Sequence, residues 1–417
     1  RSGMGALQES ETIFDLARLH ACGNVATPVE AGILLADRPF MSKQTPDSAR
    51  APVAAIVLAA GLGTRMKSDL PKVLHPIAGR PMIRHLLESL NTLEPERIVV
   101  VISAEARNVR AAVQPHPTAV QAEQKGTGHA VLQAKQQMTG FTGDVLILFG
   151  GDPLITPETM KKLLDRRRGD DDPAAVVLGF RPPEPGLYGR LIVDGAGRLE
   201  AIVEAGDATP KQLATDLCNS GVMAVDGKRL FDILGRVGNN NAKGEFYLTD
   251  IIAIANEDGA NCAVIEAQDP DELTGIDTRA DLAAAEAIAQ KRLRQAAMAN
   301  GATLAAPETV FFSHDTVLGR DVVVGPNVVF SPEVTIGDNV TIRPFCHLEG
   351  ATVADGVTIG PFARLRPGAV IGDEVNIGNF VEIKNATLES GVKINHLTYV
   401  GDARVGAGAN VGAGTIT

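Results

Sequence analysis

The sequence predicts an α/β domain, a mostly parallel sheet with helices on both faces, joined by one long helix to a parallel β-helix. Three observations lead there. Continuous aliphatic runs alternate with helical patterns up to about residue 180. An Ala-, Leu-, Arg- and Glu-rich segment spans 278–299. Beyond residue 301, small aliphatic residues recur with a period of six.

Each element follows from its residues. Val53–Ala59 (VAAIVLA) is apolar throughout and runs into Gly61, as expected of a strand buried on both faces. Arg97–Ser103 (RIVVVIS), Asp144–Phe149 (DVLILF) and Ala174–Phe180 (AAVVLGF) read the same way. Between them, Met82–Leu93, Gly128–Met138 and Pro157–Arg168 carry helical spacing. Strand–helix alternation implies parallel pairing with helical crossovers. Thr278–Ala299 is built from strong helix formers, with Asp277 or Thr278 placed to cap it and Asn300-Gly301 to end it. The expected organisation is an extension over 1–50, a first domain over 51–277, a linker helix over 278–301 and a repeat domain over 302–417. The extension is expected to be poorly ordered, with Met41 a candidate natural start.

In the repeat domain the series runs Val322, Val328, Val334, Val340, Cys346. After a one-residue slip it continues at Val357, Ala363, Ala369, Val375, Val381 and Thr387, then Ala403, Ala409 and Thr415. Glycine precedes many of these by three, at 319, 325, 337 and 360 among others. A six-residue period fits neither a helix nor a single strand; it fits coils that stack small side chains inward. A solenoid needs a cap over its open edge, and no cap-like segment occurs before Thr417. The expectation is therefore a longer natural chain.

Composition narrows the function. The 417 residues carry a net charge of −11, with 45% apolar, 21% charged and 4% aromatic residues and no Trp. That is globular composition, and the acidic balance argues against nucleic acid or an anionic membrane surface as main partner. No stretch approaches the roughly 20 apolar residues of a membrane span. The four cysteines, Cys22, Cys218, Cys262 and Cys346, form no CxxC pair and read as core residues of a reducing compartment, hence a cytoplasmic address.

The chemistry begins directly after the first strand, in LAAGLGTRM, residues 58–66. A dinucleotide fingerprint would need glycine at Met66, and the Gly-Lys-Ser/Thr of a Walker loop is absent. What remains is a glycine loop with free N–H groups followed by Arg65 and Lys72, which suits a triphosphate; a tight turn with surface cations is the plainer alternative.

LAAGLGTR together with PKVLHPIAG (71–79) resembles the sugar-1-phosphate nucleotidyltransferases, and QAEQKGTGHA (121–130) is similar to a uridine-binding segment among them. With the hexapeptide repeat, residues 53–417 resemble the bacterial bifunctional N-acetylglucosamine-1-phosphate uridyltransferase/glucosamine-1-phosphate acetyltransferases. The resemblance implies a Rossmann-like nucleotidyltransferase domain followed by a left-handed β-helix. It implies that Leu58, Ala59, Ala60, Gly61 and Gln121 contact UTP, with Gly126 and Thr127 beside the uracil. Arg65 and Lys72 stabilise triphosphate charge, and Gly189, Glu204 and Asn219 hold N-acetylglucosamine 1-phosphate. Mg²⁺ falls to Asp152 and Asp277. The sugar phosphate attacks the α-phosphorus and pyrophosphate leaves, a reaction dominated by positioning and charge neutralisation.

Two departures stand out. The family usually reads Gly-Asp-X-Pro where this chain reads Phe149-Gly-Gly-Asp-Pro153, so Gly151 takes the usual metal position. Either the loop shifts so that Asp152 still reaches the metal, which is the favoured expectation, or metal affinity falls. Asp277 stands where the family commonly has Asn, adding a carboxylate.

In the repeat domain, HLTY (396–399) is similar to the family's acetyl-transfer motif. The resemblance implies His396 as general base, Glu382 orienting it, and Arg366 and Lys384 on the phosphate of glucosamine 1-phosphate. Tyr399 and Asn410 contact the sugar, and Ala413 contacts acetyl-CoA. The family's later coils lie past Thr417, so the expectation for this 417-residue form is uridyl transfer kept and acetyl transfer lost. By analogy the β-helices form a homotrimer. The alternatives are a related nucleotidyltransferase of other base or sugar choice, and a scaffold or regulatory homologue without catalysis; Arg65 and Lys72 argue against the latter.

Overall fold

A computed structural model of the chain describes residues 51–417; the extension, its predicted start at Met41 and Cys22 lie outside the described residues. The aliphatic runs are the centre of a nine-stranded mixed sheet. Its main order is Cys262–Glu266, Ala175–Phe180, Cys218–Asp226, Asp144–Phe149, Val53–Ala59, Arg97–Ser103, Thr118–Gln121. Val53–Ala59 pairs in parallel with strands on both sides, and its residues from Ala54 to Val57 are fully buried. Continuous hydrophobicity, rather than alternation, is the expected consequence of two covered faces. Cys218–Asp226 runs antiparallel to both neighbours.

The helices follow the predicted spans, with boundaries set by local chemistry. Met82–Asn91 buries Met82, Ile83, Leu86, Leu87 and Leu90, an i, i+3, i+4 stripe. Pro157–Arg167 starts on Thr156, whose hydroxyl accepts from the Thr159 N–H. The expected Gly128–Met138 helix is shorter, Thr127–Gln133, with turns after it to Gly140. Arg279–Ala299 is capped by Thr278, and Asp281 closes a capping box by accepting from the Thr278 N–H at 2.8 Å. This helix is packed, not free. Ala285 and Ala289 join Ile77, Met82, Leu154 and Ile276 in one apolar cluster. Gln290, 2% exposed, bonds both the N–H and the C=O of Phe312, at 2.8 and 2.6 Å.

Beyond it, short parallel strands stack coil on coil. Val322, Val328, Val334, Val340, Cys346, Val357, Ala363, Ala369, Val375 and Val381 all point inward and are buried. Thr387 does not belong to that series: the buried residue is Ala386, and Val392 and Thr398 follow it. The reason is two further shortened coils, where Val370 pairs with Thr387 and Thr387 with Arg404. Most corners carry one residue in the left-handed region immediately before the inward one, such as Asp321, Asn327, Asn339 and Phe380. Cys218, Cys262 and Cys346 are free and buried. Among the described residues, no helix is long and apolar enough to cross a membrane.

Candidate functional site

A cavity of about 230 Å³ opens at the C-terminal ends of the parallel strands, the edge where open α/β sheets place ligands. Leu58, Ala59, Ala60 and Gly61 form one wall, Gln121, Gly126 and Thr127 another, and Lys72, Phe149 and Gly151 the floor. The sequence-predicted nucleotide residues are therefore brought together. Two glycines make this possible. Gly63 has φ +62°, and a Cβ there would sit 2.7 Å from Lys72 Cβ. Gly126 has φ +107°, and a Cβ there would meet the Phe246 carbonyl oxygen at 2.6 Å.

Lys72 sits on a single 3₁₀ turn, Lys72–Leu74, anchored by buried Val73. Its Nζ lies 3.0 Å from Asp277 Oδ1, while Arg65 Nη2 lies 2.9 Å from Asp277 Oδ2. The downstream segment is carried alongside by the Ile276 N–H, which donates to the Gly151 carbonyl at 3.4 Å. Arg279 ties the same corner together, donating to the Met66 carbonyl at 3.1 Å and contacting His75 Nδ1 at 3.2 Å.

Asp152 is 8% exposed, and its Oδ2 has no hydrogen-bond partner. Burial pushes its carboxyl up to about 7; Lys72 pulls the other way and Asp277 adds to the rise. A buried carboxylate oxygen without a donor, beside a second carboxylate, fits a hard divalent cation that takes one or two carboxylates and fills its other positions with phosphate and water. Among the described residues no group of three or more His, Cys, Asp or Glu forms a metal cluster, so a metal here would depend on non-protein ligands as well. A Cβ at Gly151 would point at Lys72 Nζ, 3.0 Å away.

Gly189, Glu204 and Asn219, expected at a sugar site, also converge. The Asn219 N–H donates to the Gly189 carbonyl at 2.8 Å, and the Cβ direction of Gly189 faces Asn219 Cβ and Glu204 Oε1, each at 3.6 Å. Burial raises the Glu204 carboxyl above its ordinary range, opposed by Lys243 and Thr249. Thr249, buried and 3.5 Å from Glu204 Oε1, was not anticipated from the sequence; nor was Tyr188, packed edge-on to Phe180 at 4.9 Å.

On the β-helix, Arg366, Glu382, Lys384, His396 and Tyr399 occupy neighbouring coils, with Asn410 and Ala413 on the last. Glu382, expected to orient His396, is paired with Arg366 and makes no hydrogen bond to that ring. Arg366 Nη1 donates to Glu382 Oε1 at 2.8 Å, and His396 Nδ1 lies 2.7 Å from Asn379 Oδ1. The parallel register decides this, because it stacks Asn379 under His396 and Glu382 under Tyr399. In the neutral ring, an Nδ1–H donating to Asn379 leaves the Nε2 lone pair free on the half-buried-to-exposed strand face. The one-coil offset of 17 residues between 379 and 396 was the signal that could have found Asn379.

Residues 55–215 match the MobA-like NTP transferase domain family, and residues 315–350 and 350–385 match the bacterial transferase hexapeptide family. Bifunctional protein GlmU of Paramagnetospirillum magneticum is 61% identical over 88% of this chain and 81% of its own length. Its namesake from Rhodospirillum rubrum is 64% identical over 87% of this chain and 81% of its own length. The namesake from Sphingopyxis alaskensis is 58% identical over 88% and 81%. The chain thus belongs to the GlmU family of bifunctional enzymes, which join a uridyltransferase to a hexapeptide acetyltransferase in making UDP-N-acetylglucosamine.

Proposed function

We propose that the cavity at the sheet edge binds UTP and that the Gly189, Glu204 and Asn219 cluster binds N-acetylglucosamine 1-phosphate. The observation that carries this is the meeting of Lys72 and Asp277, distant in sequence and 3.0 Å apart, beside a cavity lined by the glycine loop and Gln121. Leu58–Gly61 present backbone along the nucleotide, while Gly126 and Thr127 flank the base. Arg65 and Lys72 neutralise the triphosphate, lowering the cost of charge developing on the departing pyrophosphate. A sugar-phosphate oxygen forms the new bond to the α-phosphorus as the bond to pyrophosphate breaks.

Asp152 and Asp277 would hold Mg²⁺, which supplies charge neutralisation at the phosphates when bound. Pyrophosphate release from UTP plus N-acetylglucosamine 1-phosphate, with and without Mg²⁺, tests this reading. Turnover that is independent of Mg²⁺, or equal with an unrelated sugar phosphate, sinks it.

On the β-helix, His396 takes a proton from the amine of glucosamine 1-phosphate as that nitrogen bonds to the acetyl carbon of acetyl-CoA; the acyl C–S bond breaks and coenzyme A leaves as the thiol once its sulfur is protonated. Arg366 and Lys384 hold the phosphate, Tyr399 and Asn410 the sugar, and Ala413 the acetyl donor. Phe345, Phe362 and Phe380 stack at 4.9 and 5.2 Å and lie exposed, one per coil, with exposed Leu397 next in line. A continuous apolar seam along a repeat matches the same seam on identical coils, so this edge is assigned to self-association as a homotrimer. The cytoplasm is the compartment this chemistry serves.

A further inference from the structure

Gln121 ends the strand Thr118–Gln121 with its side chain 3% exposed, yet it lines the nucleotide cavity. Its Nε2 lies 3.1 Å from the Gly126 carbonyl oxygen and 3.1 Å from His129 Nδ1. A carbonyl only accepts, so the amide nitrogen must be the atom facing Gly126, whichever way the amide is drawn. The second amide hydrogen then points at His129, and Nδ1 has to be the unprotonated ring nitrogen.

Gln133 contests that acceptor. Its Nε2 donates to the His129 carbonyl at 3.0 Å and also lies 3.2 Å from His129 Nε2. A neutral imidazole has only one unprotonated nitrogen, so it cannot accept from both amides. Burial decides between them. Gln121 is buried, whereas Gln133 is half-buried and its amide can turn to solvent instead. With both hydrogens of Gln121 committed, what the amide leaves for a ligand is Oε1, an acceptor, and among the described residues no donor reaches it.

We propose that His129 is a positioning residue for base selection: together with the Gly126 carbonyl it holds both hydrogens of the Gln121 amide, so that Oε1, and not the NH₂, faces the base edge. Uracil offers a donor at N3–H, where cytosine offers a lone pair. With the ribose fixed, the locked amide attracts the first and repels the second. This rests on the reading that the cavity holds the uridine.

The test is kcat/KM for UTP and for CTP in the whole chain and in His129→Leu, His129→Asn and Gln121→Ala. Asn places an acceptor near the position of Nδ1, whereas Leu places none. The UTP:CTP ratio is expected to fall about tenfold or more in His129→Leu, chiefly through KM for UTP. His129→Asn is expected to keep the ratio within about threefold of the starting protein, since its acceptor preserves the bond. An unchanged ratio in His129→Leu, or the same loss in His129→Asn, overturns the positioning role. An unchanged ratio in Gln121→Ala instead removes the base reading itself, so the two failures are told apart.

Discussion

The carboxylate of Asp277 is shared between Lys72, at 3.0 Å, and Arg65, at 2.9 Å. Both cations proposed for the triphosphate are therefore held by the acid proposed for the metal. An incoming metal–nucleotide offers each group a better partner: phosphate for the cations, the metal for the carboxylate.

Asp277→Ala should separate these roles. Because the pairs are partly exposed, at 39% for Asp277 and 64% for Arg65, their mutual attraction is worth about 1 kcal/mol or less. UTP binding without metal should therefore tighten by no more than about fivefold once the cations are released. The rate at limiting Mg²⁺ should instead drop by about tenfold or more, as a metal ligand is lost. Titration of metal-free UTP beside pyrophosphate release across a Mg²⁺ series reads both.

Glu204 provides a pH dependence. Burial holds its carboxyl above the ordinary value of about 4.3. In the proposed sugar site its carboxylate would accept hydrogen bonds from sugar hydroxyls, and protonation would put a donor where an acceptor stood. KM for N-acetylglucosamine 1-phosphate should thus climb on acidification before an unperturbed glutamate would protonate. Glu204→Gln should raise KM at neutral pH and flatten the profile. KM profiles for the two proteins from pH 5 to 8 check the sign.

Gly126 adopts φ +107° with Phe246 O in the path of any Cβ. Gly126→Ala adds strain of about 1–3 kcal/mol and displaces the turn that positions Thr127. KM for UTP should rise about tenfold, while far-ultraviolet circular dichroism, dominated by the sheet and β-helix, stays unchanged.

Gln290 is the buried hydrogen-bonding contact of the long helix with the start of the β-helix, beside Arg294 bonding the Val310 carbonyl. Gln290→Leu strands the buried N–H and C=O of Phe312, each costing about 1–3 kcal/mol. Calorimetry should show a lowered Tm.

The exposed seam of Phe345, Phe362 and Phe380 carries the assembly prediction. Phe362→Asp places a charge between the two stacking neighbours, and sedimentation should shift from trimer to monomer at micromolar concentration. Because Phe362 points outward, the inward stack of Ala363 and Cys346 should be undisturbed.

Continuous aliphatic runs disclosed the central strands because both faces of a parallel sheet exclude water, so no alternation survives to confuse the pattern. The six-residue period was legible for a similar reason: each coil repeats the same inward demand. Thr387 marks where that legibility ended, since a shortened coil moves the inward position by one residue, and only the stacking of neighbouring coils fixes which residue turns in. Strands such as Arg190–Val193 and Leu199–Val203 went unread, being short and half-covered.

By itself the sequence determined the two architectures and the glycine loop with its cations, because these depend on local pattern and spacing; the sugar-site residues Gly189, Glu204 and Asn219 came only from the resemblance to a known family. Tertiary structure alone decided the partnerships: Asp277 with Arg65 and Lys72, His396 with Asn379 rather than Glu382, His129 with Gln121. Chain crossing makes the first, coil stacking the second and the turn from strand to helix the third, and no spacing along the chain encodes those distances unless the fold is already known.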